Sequence, residues 1–145
     1  MPRLLELFSG TGSVGKEWQS LGLGEVVSVD IDGRFGEPTY QVDILEWDYT
    51  VFPPGHFDVV WASPPCTQYS RARTWARTPR DLEGADALVL KALDVIAYFQ
   101  PRFWFVENPW SSMLRGREVV AHLPLLQSTD CWPLLHLHHE MPSST

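Results

Sequence analysis

An apolar strand that runs directly into two prolines and a cysteine is the stretch that most constrains this chain. Residues 57–62 read as a strand, and Pro64 and Pro65 then fix two φ angles and remove two backbone donors. The strand therefore ends in a stiff turn, with Cys66 at the first position beyond it. Open α/β sheets bind their ligands beyond the carboxyl ends of their strands. The pattern predicts a nucleophilic Cys66 at such an edge, and a buried, inert cysteine is the alternative.

A glycine-rich turn stands between the first predicted strand and the first predicted helix. Residues 3–8 form a short apolar run, the turn follows at 9–15, and residues 16–21 read as helix. Such turns let the backbone approach a ligand at a helix N-terminus. A second strand, residues 25–30, ends in Asp30 about twenty residues after the glycines, where dinucleotide-binding folds place a ribose-binding carboxylate. Together these features predict an adenosine-bearing cofactor, whereas either one alone also occurs in ordinary turns.

A later strand predicts the second half of the site. Residues 40–44 read as a third short strand, 81–99 as a helix with an apolar stripe, and 103–106 as a buried strand. The last of these strands leads into Glu107. If it lies beside the strand that precedes Cys66 in a parallel sheet, the thiol and the carboxyl group share one crevice. The alternative role for Glu107 is to cap a following helix.

Length and composition indicate one globular domain. The chain has 145 residues, of which 44% are hydrophobic and 20% charged. It contains no apolar run long enough to span a membrane, and its N-terminus does not resemble a signal peptide. Two cysteines in dissimilar surroundings do not form a disulfide framework, so we expect a reducing, intracellular setting. A net charge of −7 argues against a surface that binds nucleic acid throughout.

Basic residues nevertheless concentrate directly after the candidate nucleophile. Within ten positions and with no acid among them stand Arg71, Arg73, Arg77 and Arg80. A solvated loop is one interpretation, and phosphate contact beside the nucleophile is the other. Further on, residues 116–123 are predicted as a short helix, residues 136–139 contain three histidines, and the C-terminal end is expected to fray. Because no second group of ligands accompanies these histidines, we expect no metal site.

Taken in order, these motifs resemble the DNA cytosine-5 methyltransferases, especially the short phage and bacterial members. The resemblance runs over residues 3–109 and rests on the glycine turn, the strand-end acid, Pro65-Cys66 and Glu107-Asn108. It implies an α/β fold of the Rossmann-like, class I S-adenosylmethionine-dependent methyltransferase type, with a mostly parallel sheet and flanking helices. It also implies S-adenosylmethionine as the cofactor, held by Phe8, Ser9, Gly10, Thr11, Gly12, Asp30, Ile31, Asp43, Ile44, Pro65 and Leu88.

The same resemblance implies the chemistry. Cys66 would add to C6 of cytosine so that C5 can attack a methyl group, and Glu107 would protonate or hydrogen-bond N3. Asn108 would hold the turn that aims the carboxyl group of Glu107. The target base has to leave the DNA stack to be reached. The residues implied to contact the DNA around the flipped cytosine are Ser70, Arg71, Arg73 and Arg77.

After Asn108 the chain departs from the family pattern. The Arg-x-Arg strand, the target-recognition region and the last cofactor segment of the family are not visible in the sequence. We therefore expect residues 1–145 to form a single, truncated catalytic domain whose C-terminal part is incomplete. A homodimer, or a second chain that supplies target recognition, would complete it. The expected location is the cytoplasm of a bacterial or phage-infected cell.

Three other functions compete with this interpretation. Ser63-Pro64-Pro65 also matches the start of the Ser-Pro-Pro-Tyr motif of DNA amino-methyltransferases, which modify N4 of cytosine or N6 of adenine. In that motif the fourth residue stacks on the base, which the thiol of Cys66 cannot do. An inactive S-adenosylmethionine-binding fragment is the second alternative. A nicotinamide-dependent enzyme is disfavoured, because Gly10 and Gly12 are not followed by the third spaced glycine of that fingerprint.

Overall fold

The chain folds around one parallel sheet. In the computed structural model, the described residues are 1–65, 82–109, 134–135 and 138–140. Their strands, in chain order, are β1 (Arg3–Leu7), β2 (Glu25–Asp30), β3 (Tyr40–Gln41), β4 (Val59–Ala62), β5 (Phe103–Val106), β6 (Asn108–Pro109), β7 (Leu134–Leu135) and β8 (His138–Glu140). Their helices are α1 (Ser13–Ser20) and α2 (Leu82–Phe99), with a short 3-10 turn at Tyr49–Val51.

The order of the strands confirms the predicted α/β fold. The main sheet runs β3-β2-β1-β4-β5-β8, and every pairing from β3 to β5 is parallel. From β1 the chain first builds outward through β2 and β3, then crosses back to place β4 on the other side of β1. Such a reversal opens a crevice at the carboxyl ends of β1 and β4, which is where sheets of this type bind ligands.

Helix α2 covers one face of the sheet and forms the main core with it. Alternate residues of each strand point to this face, because successive side chains of a strand point to opposite sides. The core residues contributed by α2 are Ala85, Val89, Ala92, Val95, Ile96 and Phe99. They pack with strand residues Leu5, Leu7, Val29, Val60, Ala62, Trp104 and Val106. The apolar stripe predicted for this helix is thereby confirmed as core packing.

The opposite face of the sheet carries α1 and an apolar groove. The groove measures about 440 Å³ and runs between α1 and the neighbouring strands. Its apolar lining includes Leu4, Val14, Trp18, Leu21, Leu23, Val59, Trp61 and Phe105. Among the described residues, no helix has both the length and the apolarity needed to cross a membrane.

The structure changes the bounds of two predicted elements, α1 and β3. Helix α1 begins at Ser13, earlier than residue 16, because the turn already closes there with the Lys16 N–H donating to the Gly12 carbonyl at 2.9 Å. Strand β3 covers only two of the residues predicted at 40–44. It ends early because the Asp43 carboxylate accepts the Leu45 N–H at 2.9 Å and starts a turn.

The last strand was not predicted from the sequence, and residues 142–145, which were expected to fray, lie outside the described residues. Residues 138–140 form β8, which pairs antiparallel with β5 and extends the sheet by one strand. Two of the clustered histidines, His138 and His139, thus take part in backbone pairing at the sheet edge. The helix predicted at 116–123 lies outside the described residues.

Candidate active site

The candidate site residues follow the strands at one edge of the sheet. Backbone hydrogen bonds continue the strand pairing past the strand ends and hold these residues in place. The Ser63 N–H donates to the Leu7 carbonyl at 3.2 Å, and the Glu107 N–H donates to the Ala62 carbonyl at 2.8 Å. On the other side of β1, the Ser9 N–H donates to the Val29 carbonyl at 3.2 Å. The ends of four parallel strands are therefore joined to one another.

The glycine turn is held by its own backbone and by Asp30. Gly10 and Gly12 have φ angles of 53° and 74°, a left-handed conformation that glycine adopts without steric cost. The Gly10 N–H donates to Oδ2 of Asp30 at 2.7 Å, and the Gly12 N–H donates to the Ser9 carbonyl at 2.7 Å. These two hydrogen bonds shape the turn.

The Asp30 carboxylate retains acceptor capacity for a ligand. Its Oδ1 accepts the Asp32 N–H at 2.7 Å, while Oδ2 accepts the Gly10 N–H. A carboxylate has about four acceptor sites, so each oxygen keeps one for a further donor such as a ribose hydroxyl. Ile31, directly after it, is 66% exposed and offers an apolar surface beside the carboxylate. Both residues fit the adenosine part of the predicted cofactor.

The other predicted cofactor residues differ in how much of their side chains they expose to a ligand. Ile44 is only 4% exposed and belongs to the core with Trp47 and Phe57, so its side chain offers little surface to a ligand. Oδ1 of Asp43 accepts the Leu45 N–H at 2.9 Å in its local turn. Leu88 is half-buried against the core, and Phe8 is half-buried with a left-handed φ of 57°. Pro65 is exposed at the end of the described stretch.

A cleft lies mainly on the α1 side of the glycine turn. It measures about 580 Å³ and extends from α1 to the loop between β2 and β3. The turn contributes Ser9, Gly10, Thr11 and Gly12 to its lining, but Asp30, Ile31 and Leu88 do not line it. The cleft and the predicted cofactor set therefore overlap only at the turn. The hydrogen-bond geometry of Asp30 is the firmer guide to the adenosine site, because it identifies a specific acceptor.

Sequence reasoning missed Glu6, a buried acid in the middle of β1. Its side chain is 3% exposed, and Oε2 accepts the Gly15 N–H at 3.0 Å in the first turn of α1. Burial raises the pKa of Glu6, and the hydrogen bonds from the backbone of Gly15 and Val14 oppose that rise. The signal available in the sequence was an acid within an otherwise apolar strand, three residues before the turn.

Glu107 lies beside the strand end that leads into Cys66. Its Oε2 accepts a hydrogen bond from the Ser63 hydroxyl at 2.9 Å, and the Ser63 oxygen accepts one from Nε1 of Trp61 at 2.9 Å. The prediction that β4 and β5 are parallel neighbours is confirmed, because Trp61 pairs with Phe105 in register. The sequence did not single out Trp61 or the hydroxyl of Ser63 for any role toward Glu107.

Several predicted site residues lie outside the described part of the chain. These are Cys66, Ser70, Arg71, Arg73 and Arg77. Asn108 is described through its backbone, which forms β6 and pairs with Leu135. The roles predicted for all six residues stay predictions.

Known proteins resemble this chain in sequence and in fold. Residues 2–117 match the family described as C-5 cytosine-specific DNA methylase. A protein of Frog virus 3 (isolate Goorha), named "Probable DNA (cytosine-5)-methyltransferase", is 42% identical over 133 residues, which cover 84% of this chain and 59% of that protein. The "Type II methyltransferase M1.HphI" of Haemophilus parahaemolyticus is 28% identical over 122 residues, which cover 72% of this chain and 31% of that protein.

Solved structures share the fold. The methyltransferase EhMeth of Entamoeba histolytica superposes with a TM-score of 0.60 at 18% identity, covering 83% of this chain and 41% of that one. The Dnmt2 methyltransferase of S. pombe gives a TM-score of 0.56 at 17% identity, covering 83% of this chain and 38% of that one. At these identities the likeness shows a methyltransferase fold. Since the family match extends over most of the sequence, the chain belongs to the C-5 cytosine-specific DNA methylase family.

Proposed function

We propose that this chain is the catalytic portion of an S-adenosylmethionine-dependent DNA methyltransferase that methylates C5 of cytosine. The observation that carries the proposal is the Ser63–Glu107 hydrogen bond of 2.9 Å, which joins the ends of β4 and β5. Cys66 follows Ser63 by three positions, so the acid lies next to the strand end that leads into the candidate nucleophile. Membership of the cytosine-5 family supports the same assignment.

In the proposed mechanism, Cys66 and Glu107 act on the same pyrimidine. The Cys66 thiolate forms a bond to C6 of the cytosine, and the ring electrons then make C5 nucleophilic. Glu107 donates a proton or a hydrogen bond to N3, where charge develops during this addition. After methyl transfer, loss of the C5 proton and breaking of the C6–sulfur bond restore the ring and release Cys66. Asn108 holds the turn that aims Glu107.

The cofactor residues act by binding and orientation. When bound, S-adenosylmethionine supplies an electrophilic methyl group. Asp30 would accept ribose hydroxyls at its remaining acceptor sites, and Ile31 would pack against the adenine. The turn at 9–12 would border the cofactor through its backbone. Phe8, Asp43, Ile44, Pro65 and Leu88 complete the proposed set, although the burial of Ile44 restricts it to a supporting position.

DNA is the proposed substrate, with the target cytosine flipped out of the stack. Ser70, Arg71, Arg73 and Arg77 would contact the flipped nucleotide and its phosphates, since they follow Cys66 directly. The chain spans 59% of the length of its viral relative and carries a net charge of −7. These facts support a further proposal, that a second copy or a second chain supplies target recognition.

The function is tested by a methyl-transfer assay with labelled S-adenosylmethionine and unmethylated DNA, followed by analysis of the modified nucleoside. The expected product is 5-methyl-2′-deoxycytidine. Cys66→Ala should reduce its formation to background, because the nucleophile is lost. Glu107→Gln should reduce the rate by about 10²–10⁴-fold, the usual contribution of a general acid. Arg102→Gln, an exposed change after α2, is the control and should leave the rate unchanged.

Other products would assign another function. Methylation of an exocyclic amine, retained in Cys66→Ala, would identify an amino-methyltransferase. Cofactor binding measured by calorimetry, without any methylation of DNA, would identify an inactive cofactor-binding fragment. Activity that appears only after a second chain is added would support the proposed division of target recognition.

A further inference from the structure

The sheet face around Glu107 is built from two matched pairs of side chains. Trp61 and Phe105 are register partners on β4 and β5, and their ring centroids lie 5.2 Å apart. Ser63 and Glu107 each follow two residues later along their strands, and side chains two apart point to the same face. The second pair is therefore stacked beyond the first on one side of the sheet. The Glu107 N–H bond to the Ala62 carbonyl, 2.8 Å long, preserves the register at that point.

The hydrogen bonds among Trp61, Ser63 and Glu107 form a chain in which each donor is defined. The indole Nε1 of Trp61 is a donor only, so the Ser63 oxygen must accept from it at 2.9 Å. The single hydroxyl proton of Ser63 is then directed to Oε2 of Glu107, also at 2.9 Å. Oε2 is therefore the acceptor in this bond. While Ser63 donates to Oε2, a proton carried by Glu107 resides on Oε1.

The Ser63 hydroxyl is held firmly enough to impose this direction. The backbone of Ser63 is tied to β1 through its N–H bond to the Leu7 carbonyl at 3.2 Å. The next residue, Pro64, is buried and has a fixed φ angle, which limits the freedom of the peptide between them. With a donor on one side and an acceptor on the other, the hydroxyl is committed in both of its roles.

We propose that Ser63, supported by the Trp61 indole, is a positioning residue that makes Oε1 of Glu107 the atom that donates to the target base. The inference rests on the proposed function and deepens it. When the proton moves from Oε1 to N3 of the cytosine, an O–H bond breaks and an N–H bond forms. The negative charge left on the carboxylate is stabilised at Oε2 by the hydrogen bond from Ser63. Ser63 touches neither the base nor the cofactor in this role.

The hydrogen-bond chain is tested by NMR without any need for activity. The indole N–H resonance of Trp61 is assigned by its loss in Trp61→Phe. Ser63→Ala should move this resonance upfield and accelerate its exchange with solvent, because the acceptor is removed. Glu107→Ala should also move it, although Glu107 bonds to Trp61 only through Ser63. The Trp47 indole, whose Nε1 has no hydrogen-bond partner in the described part of the chain, is the internal control and should stay in place.

The positioning role is tested by kinetics on the same variants. Ser63→Ala should lower kcat about tenfold, the equivalent of one hydrogen bond to a charged group, and leave the KM for S-adenosylmethionine unchanged. Ser63→Thr keeps the hydroxyl and should restore most of the rate. If Ser63→Ala does not fold, Trp61→Phe replaces it, because it removes the indole donor but keeps an aromatic ring against Phe105.

Failure of the role inferred for Ser63 and failure of the proposed function give different results. An unmoved Trp61 resonance in Ser63→Ala, or an unchanged kcat in that variant, would overturn the inference while leaving the proposed function intact. A wild-type chain that forms no 5-methylcytosine would overturn the proposed function of this chain on its own. In that case the response of the Trp61 resonance alone decides whether Ser63 directs its proton to Glu107.

Discussion

The single residue Glu6 connects strand β1 to the start of helix α1, on either side of the glycine turn. It lies inside β1, is almost completely buried, and accepts the Gly15 N–H at the start of α1. A helix leaves its first N–H groups without partners inside the helix, so an acceptor from the preceding strand fixes where the helix starts. Glu6 therefore connects the strand, the glycine turn and the helix. The same burial makes its ionised form unfavourable.

The pH dependence of stability tests this arrangement through Glu6→Gln. Burial raises the pKa of Glu6 above its ordinary value of 4.5, so the folded state binds the proton more tightly than the unfolded state. The stability associated with the protonated form is present below about pH 4.5 and is lost as pH rises through the higher pKa of the folded state. Glutamine stays neutral and can still accept the Gly15 N–H. The variant should therefore be more stable than the wild type at neutral pH.

Chemical unfolding between pH 3 and pH 8 measures the free energy of unfolding of both proteins. The difference in this free energy between Glu6→Gln and the wild type should increase as pH rises and decrease as pH falls. Glu46→Gln, an exposed change, is the control and should show no such trend. A Glu6→Gln variant that is less stable at every pH would show that the carboxylate itself is needed.

Individual residues were predictable where a strand end exposes them. Asp30 was identified by its place at a strand end about twenty residues after the glycines, and Glu107 by its place after the strand expected beside the one that leads into Cys66. The contact between Ser63 and Glu107 was not predictable, because it depends on the register of β4 against β5 across 44 positions of sequence. Ile44 looked equivalent to Ile31, yet tertiary packing buries one and exposes the other.

At the scale of elements, the loop between β2 and β3 supports the glycine turn. At its start, the Asp32 N–H donates to the Asp30 carboxylate. At its end, the Thr39 N–H donates to the Ser28 hydroxyl on β2 at 3.0 Å. In between, Gly36 lies directly against the turn. A Cβ at position 36 would come within 2.5 Å of the Gly10 carbonyl oxygen. That neighbour is backbone and cannot rotate away.

Gly36→Ala should therefore displace the glycine turn. We expect it to weaken S-adenosylmethionine binding about tenfold and to lower stability by about 1–3 kcal/mol, the usual range for overpacking. Calorimetric titration at a temperature where the variant is folded measures the affinity. Gly33→Ala is the matched control in the same loop, because its Cβ would meet only the end of the exposed Gln41 side chain. Equal affinities for both variants would show that the loop does not support the turn.

The packing of helix α2 against the core is tested by substitutions on its two faces. Phe99 is fully buried at the C-terminal end of the helix and contacts the rings of Tyr49 and Phe57. Phe99→Ala should lower the free energy of unfolding by about 3–5 kcal/mol, through lost burial and the cavity left behind. Leu90 is 45% exposed on the same helix, and Leu90→Ala should cost about 0.5 kcal/mol or less. Urea denaturation of both variants compares them, and similar losses would mean that α2 does not pack as described.

Helices and strands were predicted best where their own sequence has a regular hydrophobic pattern. The stripe of α2 and the run of β5 carry their own signal, because α2 is long and periodic and β5 is apolar at every position. Strand β8 has no such signal, since its three residues, His138, His139 and Glu140, are all polar. It forms by antiparallel pairing with β5, which the local sequence does not encode. Strand β3 was predicted too long because the local turn at Asp43 competes with strand pairing.

For the molecule as a whole, the fold brings the two halves of the proposed chemistry to one edge. The glycine turn and Asp30 follow β1 and β2, while Ser63 and Glu107 follow β4 and β5, on the two sides of the topological reversal. The sequence led to this arrangement through its strand-end motifs and the resemblance to a known family, and the parallel pairing of β4 with β5 was a condition of it. Target recognition was not predictable, since the sequence after Asn108 contains no motif that we could assign to it.

The proposed mechanism depends on a covalent bond between Cys66 and cytosine, and mass spectrometry measures this bond most directly. The chain is incubated with S-adenosylmethionine and DNA that contains 5-fluorocytosine, whose fluorine blocks the final elimination. We expect a DNA adduct that maps to Cys66, persists in Cys131→Ala and disappears in Cys66→Ala. Recovery of unmodified protein under conditions where the chain methylates ordinary cytosine would contradict it.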